Sequence, residues 1–146
     1  MSTLRIGPEE ALRLLREEGY TYLDVRSIPE FEDGHPDGAY NVPLLHMTPA
    51  GMENNADFLN VVQLIFPTDS KLVLGCKSGG RSLRAAELLA HAGYENVVDQ
   101  KAGWAGATDQ FGRIAEIGWG PKGLPSSKQT APGHGYEALL KRALST

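Results

Sequence analysis

Apolar positions along this chain fall into short continuous runs that alternate with helix-period stripes. Thr3-Leu4-Arg5-Ile6 is expected to form a short first strand. Gly7 then stands as an N-cap and Pro8 at the first helical position, with Glu9 and Glu10 in the positive first turn. Ala11, Leu12 and Leu15 line one face of that helix, and Gly19 closes it as a left-handed residue. Glu9 with Arg13, and Arg13 with Glu17, are spaced for surface pairs along it. Tyr20 to Arg26 reads as a second strand, apolar until Asp24 and Arg26 alternate at its C-terminal end. Ser27 to Gly38 is polar and irregular, with Phe31 its one buried candidate, and Ala39 to Val42 is a short strand closed by Pro43. Leu44 to Ala56 is expected to be a long loop.

Asp57 caps the next helix, in which Phe58, Val61, Val62 and Ile65 make a core-facing stripe that Pro67 terminates. A buried-strand run follows at Lys71 to Gly75, then a helix with Leu83, Ala86, Leu89 and Ala90 inward and Gly93 at its end. Asn96 to Asp99 is expected as the last strand, leading to Lys101-Ala102-Gly103-Trp104, where Trp104 reads as a core aromatic in preference to a lid on the site. Phe111 to Trp119 looks short and irregular, and Gly120 to Gly135 looks like a flexible or extended crossing. Tyr136 to Leu144 is expected to form a short amphipathic helix that needs docking to persist. The alternation of strands and helices defines an α/β fold, with a mainly parallel central sheet flanked by helices on both faces.

Composition narrows the function. A chain of 146 residues is expected to be a single domain. Its single cysteine excludes an internal disulfide and every multi-cysteine zinc pattern. A net charge of −4 without a basic stripe argues against nucleic acid as a partner. No apolar stretch approaches the ~18 residues of a membrane span, and acidic residues interrupt any leader-like pattern at the N-terminus. The expectation is a soluble cytoplasmic protein, or one in an organelle if a transit peptide has been removed, with its thiol kept reduced. Glu30, Asp33, His35 and Asp37 lack metal-ligand spacing, so no metal is expected.

Candidate chemistry concentrates at Cys76-Lys77-Ser78-Gly79-Gly80-Arg81-Ser82. A strand, a tight glycine-bearing loop and a helix N-terminus together make an anion site, because the first helical N–H groups are unpaired and the dipole is positive there. A lone cysteine at a strand end is most often a small buried hydrophobe. Its neighbours here are poor core residues, and Lys77 and Arg81 favour a thiolate or a bound anion, so a reactive cysteine is the stronger reading. Asp24 and Arg26 read equally as a structural ion pair or as functional groups.

Three blocks in order resemble the single-domain rhodanese-like sulfurtransferases, over roughly residues 4–108. The first is Asp24-Val25-Arg26, Glu30-Phe31, Gly34-His35, Gly38-Ala39 and Asn41-Val42-Pro43; the second is the Cys76 to Ser82 loop. The third is Gly93-Tyr94-Glu95-Asn96-Val97 followed by Gly103-Trp104, with a weaker echo in Gly123-Leu124-Pro125. The loop, with Gly51-Met52 and Asp57-Phe58-Leu59 before it, is especially similar to the senescence-associated plant and bacterial type. Departures are Ala102, where the family commonly carries a second glycine, and the tail beyond Thr108. The expected organisation is a rhodanese-like domain over residues 1–108 and an extension over 109–146 packed on it.

The resemblance implies a sulfurtransferase. Cys76 takes the outer sulfur of a small anionic donor such as thiosulfate, becomes a persulfide, and passes that sulfur to cyanide, a thiol or a protein cysteine. Backbone N–H groups from Lys77 to Ser82 would hold the donor, with Lys77 adding charge. Arg81 would face the ligand or brace the loop against Asp24 or Glu30. The covalent persulfide stands where a cofactor would. Two other classes remain: a persulfide carrier or protein-binding module of the same fold, and a cysteine-loop phosphatase or arsenate reductase. The last needs Cys-x5-Arg, whereas Arg81 is the fifth residue after Cys76 and the sixth is Ser82.

Overall fold

The computed structural model describes residues 3–145, so the outer limits of the two expected segments, at residues 1 and 146, lie outside the described residues. The chain begins with β1 (Leu4–Ile6), α1 (Pro8–Glu17), β2 (Thr21–Asp24) and α2 (Ile28–Glu32). It continues through β3 (His35–Pro36), β4 (Tyr40–Asn41), β5 (Leu45–Thr48), β6 (Gly51–Asn54) and α3 (Phe58–Ile65). The central unit follows as β7 (Leu72–Gly75), α4 (Gly80–His91) and β8 (Val97–Gln100). The chain then forms β9 (Gly106–Thr108), β10 (Ile114–Ile117), β11 (Ser126–Ser127) and α5 (Tyr136–Leu144).

A five-stranded sheet in the order β1-β8-β7-β2-β4 runs through the molecule, and every neighbouring pair in it is parallel. Side chains alternate across its central strands, so two cores form. On one face Leu72, Leu74 and Leu23 meet Phe58, Val61 and Val62 of α3, Ala85, Ala86 and Leu89 of α4, and Tyr136, Leu139 and Ala143 of α5. On the other, Val73, Tyr22 and Val98 meet Ala11 and Leu14 of α1, Phe31 of α2 and Trp119. With β7 central and covered on both sides, its C-terminal end is a rigid place to mount a loop.

Several sequence expectations change. The segment from Leu44 to Ala56 is not a loop but carries the antiparallel hairpin β5–β6; β5 is mostly half-buried and β6 exposed throughout, and neither shows core-facing alternation. Ser27 to Gly38 holds the short helix α2, started by Pro29 in its first turn and by Glu30 reaching back to Ser27. Phe111 to Trp119 is not irregular: β10 pairs with β9 across a bulge. Hence β8 is the last strand of the main sheet, not of the chain. The crossing is extended, with β11 pairing β3. The inward face of α4 is Ser82, Ala85, Ala86 and Leu89, rotated from the expected one, and α1 buries Leu14 more fully than Leu12 or Leu15. Arg13 pairs with Glu10 at 2.7 Å and approaches Glu18 at 3.9 Å instead of bridging Glu9 and Glu17.

Candidate active site

The strand β7 ends at Gly75, and Cys76 sits immediately beyond it, 2% exposed, its side chain part of the core on the α3–α5 side. The packing reading therefore describes the walls around this thiol. Its polar contact is of another kind: the N–H of Gly79 points at Cys76 Sγ from 3.1 Å. Gly79 is the N-cap of α4 in a left-handed conformation, φ 103°. The first helical N–H to find a carbonyl is that of Leu83, to Gly79 O at 3.3 Å. The amides of Gly80, Arg81 and Ser82 thus have no partner among the described residues, and they sit at the positive end of a three-turn helix.

Behind the loop, the turn after β8 holds its backbone. Trp104 N–H donates to Cys76 O at 2.7 Å and Ala105 N–H to Lys77 O at 2.9 Å. Contact is so close that a Cβ on Gly103, at φ 65°, would lie 2.5–2.6 Å from the carbonyl atoms of Cys76 and Lys77. These ties are backbone to backbone, and only Gly103 and Trp104 hinted at them in the sequence.

Arg81 is engaged by Glu30 of α2. Its Nη1 and Nη2 donate to the two oxygens of Glu30 at 2.7 and 2.9 Å, a bidentate fork. Glu30 also accepts from the Ser27 hydroxyl and N–H at 2.8 and 3.1 Å. Burial alone would raise the Glu30 carboxyl, but the bonds from Arg81 and Ser27 outweigh it and hold the group at about 2. Of the two expected roles for Arg81, it has the brace, with Glu30 and not Asp24 as partner. Lys77 and Ser78 are exposed at the rim, and Lys77 makes no ion pair with a described residue.

Asp24 and Arg26 form a buried pair of their own. Arg26 Nη2 donates to Asp24 Oδ2 at 2.7 Å and to Gly34 O at 2.6 Å, while its guanidinium lies 5.2 Å from the Trp104 ring centre. This pair ties β2 to the Gly34 turn and to the tryptophan whose N–H holds Cys76 O. Trp104 is half-buried against the α1 side core. Two residues that the sequence reading passed over also reach the loop: Arg5 donates to Gly79 O at 3.3 Å and pairs with Asp99 at 2.8 Å.

A cysteine whose sulfur meets a loop amide at a helix start, on the C-terminal edge of a parallel sheet, marks the site of this α/β domain. The rhodanese-like domain family matches residues 7–110, and the chain belongs to that family. It is 39% identical over 108 residues to thiosulfate sulfurtransferase 16 of Arabidopsis thaliana, a protein named as chloroplastic, covering 74% of this chain and 80% of that one. It is also 39% identical over 102 residues to senescence-associated protein DIN1 of Raphanus sativus, covering 70% of this chain but 56% of that protein. Among solved structures, Rv0390 from M. tuberculosis superposes with a TM-score of 0.73 at 26% identity, over 88% of this chain and all of that one. Among the described residues no helix is long and apolar enough to cross a membrane.

Proposed function

We propose that this sulfurtransferase-family protein moves a sulfane sulfur from a small anionic donor such as thiosulfate to a thiophilic acceptor through a persulfide on Cys76. The observation that carries the reading is the Gly79 N–H at 3.1 Å from Cys76 Sγ, in a loop whose next three amides lack partners among the described residues. In the first half, the Cys76 thiolate attacks the outer sulfur of thiosulfate; the S–S bond breaks and sulfite leaves with its electron pair. In the second half, cyanide or a thiolate attacks the outer persulfide sulfur, and the electron pair returns to Cys76. Loop amides stabilise the negative charge on both sulfur species, and Lys77 at the rim attracts the donor. The depth of Cys76 suits a donor that presents its terminal sulfur end-on.

Arg81 is engaged with Glu30, which supports sulfur transfer over phosphate chemistry, where an arginine inside the loop is needed to wrap a tetrahedral oxyanion. A persulfide carrier serving a protein acceptor is the second reading; slow turnover with thiosulfate beside rapid exchange with a protein persulfide would select it. A reducing aqueous compartment fits both readings, cytoplasm or organelle. The test is Cys76→Ser: thiocyanate formation from thiosulfate and cyanide is expected to vanish with the thermal unfolding midpoint preserved, and appreciable turnover in that variant would sink the assignment.

A further inference from the structure

Arg5 and Asp99 face each other in register on the neighbouring parallel strands β1 and β8. Arg5 uses two different nitrogens: Nε donates to Asp99 Oδ2 at 2.8 Å and Nη2 to Gly79 O at 3.3 Å. Gly79 is the residue whose N–H meets Cys76 Sγ. Its carbonyl also receives the Ser82 hydroxyl and the Leu83 N–H, each at 3.3 Å, so three donors from two parts of the chain converge on one peptide. A glycine at φ 103° has no side chain with which to fix its own orientation, so the aim of its N–H depends on what grips the carbonyl. The approach is tight: a Cβ there would lie 2.4 Å from Lys101 O and 3.0 Å from Arg5 Nη2.

Asp99 is fully buried, and its Oδ1 lacks a hydrogen-bond partner among the described residues. The Ser82 hydroxyl has one proton to offer, and Gly79 O and Asp99 compete for it. A buried carboxylate left half-satisfied is unfavourable for folding. Its one full bond aims the Arg5 guanidinium along the sheet edge toward the loop.

We infer that Arg5, oriented by Asp99, is a positioning residue for Cys76: it holds the Gly79 peptide so that the N–H stays directed at the sulfur. A lysine at this position has a single nitrogen and cannot span the carboxylate and the carbonyl in the same way. The inference rests on Cys76 being the reacting sulfur.

Because Cys76 is the only cysteine, alkylation by iodoacetamide reads its reactivity directly in the whole protein. The test compares Arg5→Ala, Arg5→Lys and Asp99→Asn with the native chain by alkylation rate, by kcat and KM in thiosulfate–cyanide transfer, and by thermal midpoint. Arg5→Ala should lower alkylation rate and kcat about tenfold, with KM for thiosulfate within about twofold. Arg5→Lys should not rescue either, and Asp99→Asn should lower both about fivefold while its thermal midpoint moves by less than about 4 °C. Native-like alkylation and kcat in Arg5→Ala and Asp99→Asn overturn the inference, and so does full rescue by Arg5→Lys, since a lone cation would then suffice. Alkylation needs no sulfur donor. A native protein without sulfur transfer would remove the proposed function and still leave alkylation to decide on Arg5.

Discussion

Glu30 and Asp99 each face an arginine beside the same loop, yet their carboxyls shift in opposite directions. Glu30 receives both nitrogens of Arg81 and two donors from Ser27, and is held at about 2 although burial opposes this. Asp99 is buried more completely, receives one firm bond from Arg5, and burial pushes its carboxyl up in spite of Ser82 and Arg5. The difference lies in how many donors each carboxylate collects, not in whether a cation stands nearby. The Glu30 side braces the loop through a satisfied pair. On the Asp99 side, rigidity comes from backbone contacts and a carboxylate that burial disfavours.

The comparison breaks first where the backbone contacts are tightest. Gly103→Ala adds a Cβ 2.5–2.6 Å from the carbonyl atoms of Cys76 and Lys77 at φ 65°. A loss of about 3 kcal/mol in urea unfolding is expected, with sulfur transfer falling as the loop is displaced. A loss below about 0.5 kcal/mol would mean that the turn after β8 does not support the loop.

Glu30→Gln tests the satisfied side. The bonds from Arg81 and Ser27 hold the folded carboxyl below the ordinary glutamate range, at about 2, so its stabilisation is complete above that range and disappears as pH falls toward 2. The variant should therefore be about 1–2 kcal/mol less stable at neutral pH, after allowance for solvent screening, and the gap should close near pH 2. A gap that does not depend on pH would contradict the assignment.

Asp99→Asn should show the smaller effect and the reverse pH trend. Burial lifts the folded Asp99 carboxyl above the ordinary aspartate range, so its favourable contribution is present at acid pH, below that range, and is lost as pH rises through the raised value. Stability of the variant relative to the native chain should then rise from acid to neutral pH, read from thermal midpoints across that range. A relative stability that falls with pH would show Arg5 to outweigh burial.

The major elements were legible because their side chains carry them. The stripe of α3, the apolar run of β7 and the length of α5 each follow from periodicity confirmed by burial at Phe58, Val62, Leu72, Leu74 and Leu139. The hairpin β5–β6 was not legible, because a half-buried strand paired with one exposed on both faces has no buried alternation to read. Trp119 was missed because it follows the mostly exposed strand β10 and packs onto a distant face. At the site, Cys76 and its loop announced themselves by glycine and charge. The partner of Arg81 did not, since Asp24 and Glu30 are both carboxylates far along the chain and only the placement of α2 selects one. Arg5 and Asp99 carried no signal, as their pairing exists only through the register of β1 on β8.

The proposed chemistry of Cys76 is open to a single observation. The native chain is incubated with thiosulfate, freed of excess donor, and its intact mass recorded before and after dithiothreitol. A persulfide mechanism predicts one added sulfur atom that dithiothreitol removes and that Cys76→Ser never acquires. An unchanged mass under conditions where thiocyanate is being formed, or an added sulfur that persists in Cys76→Ser, would contradict it.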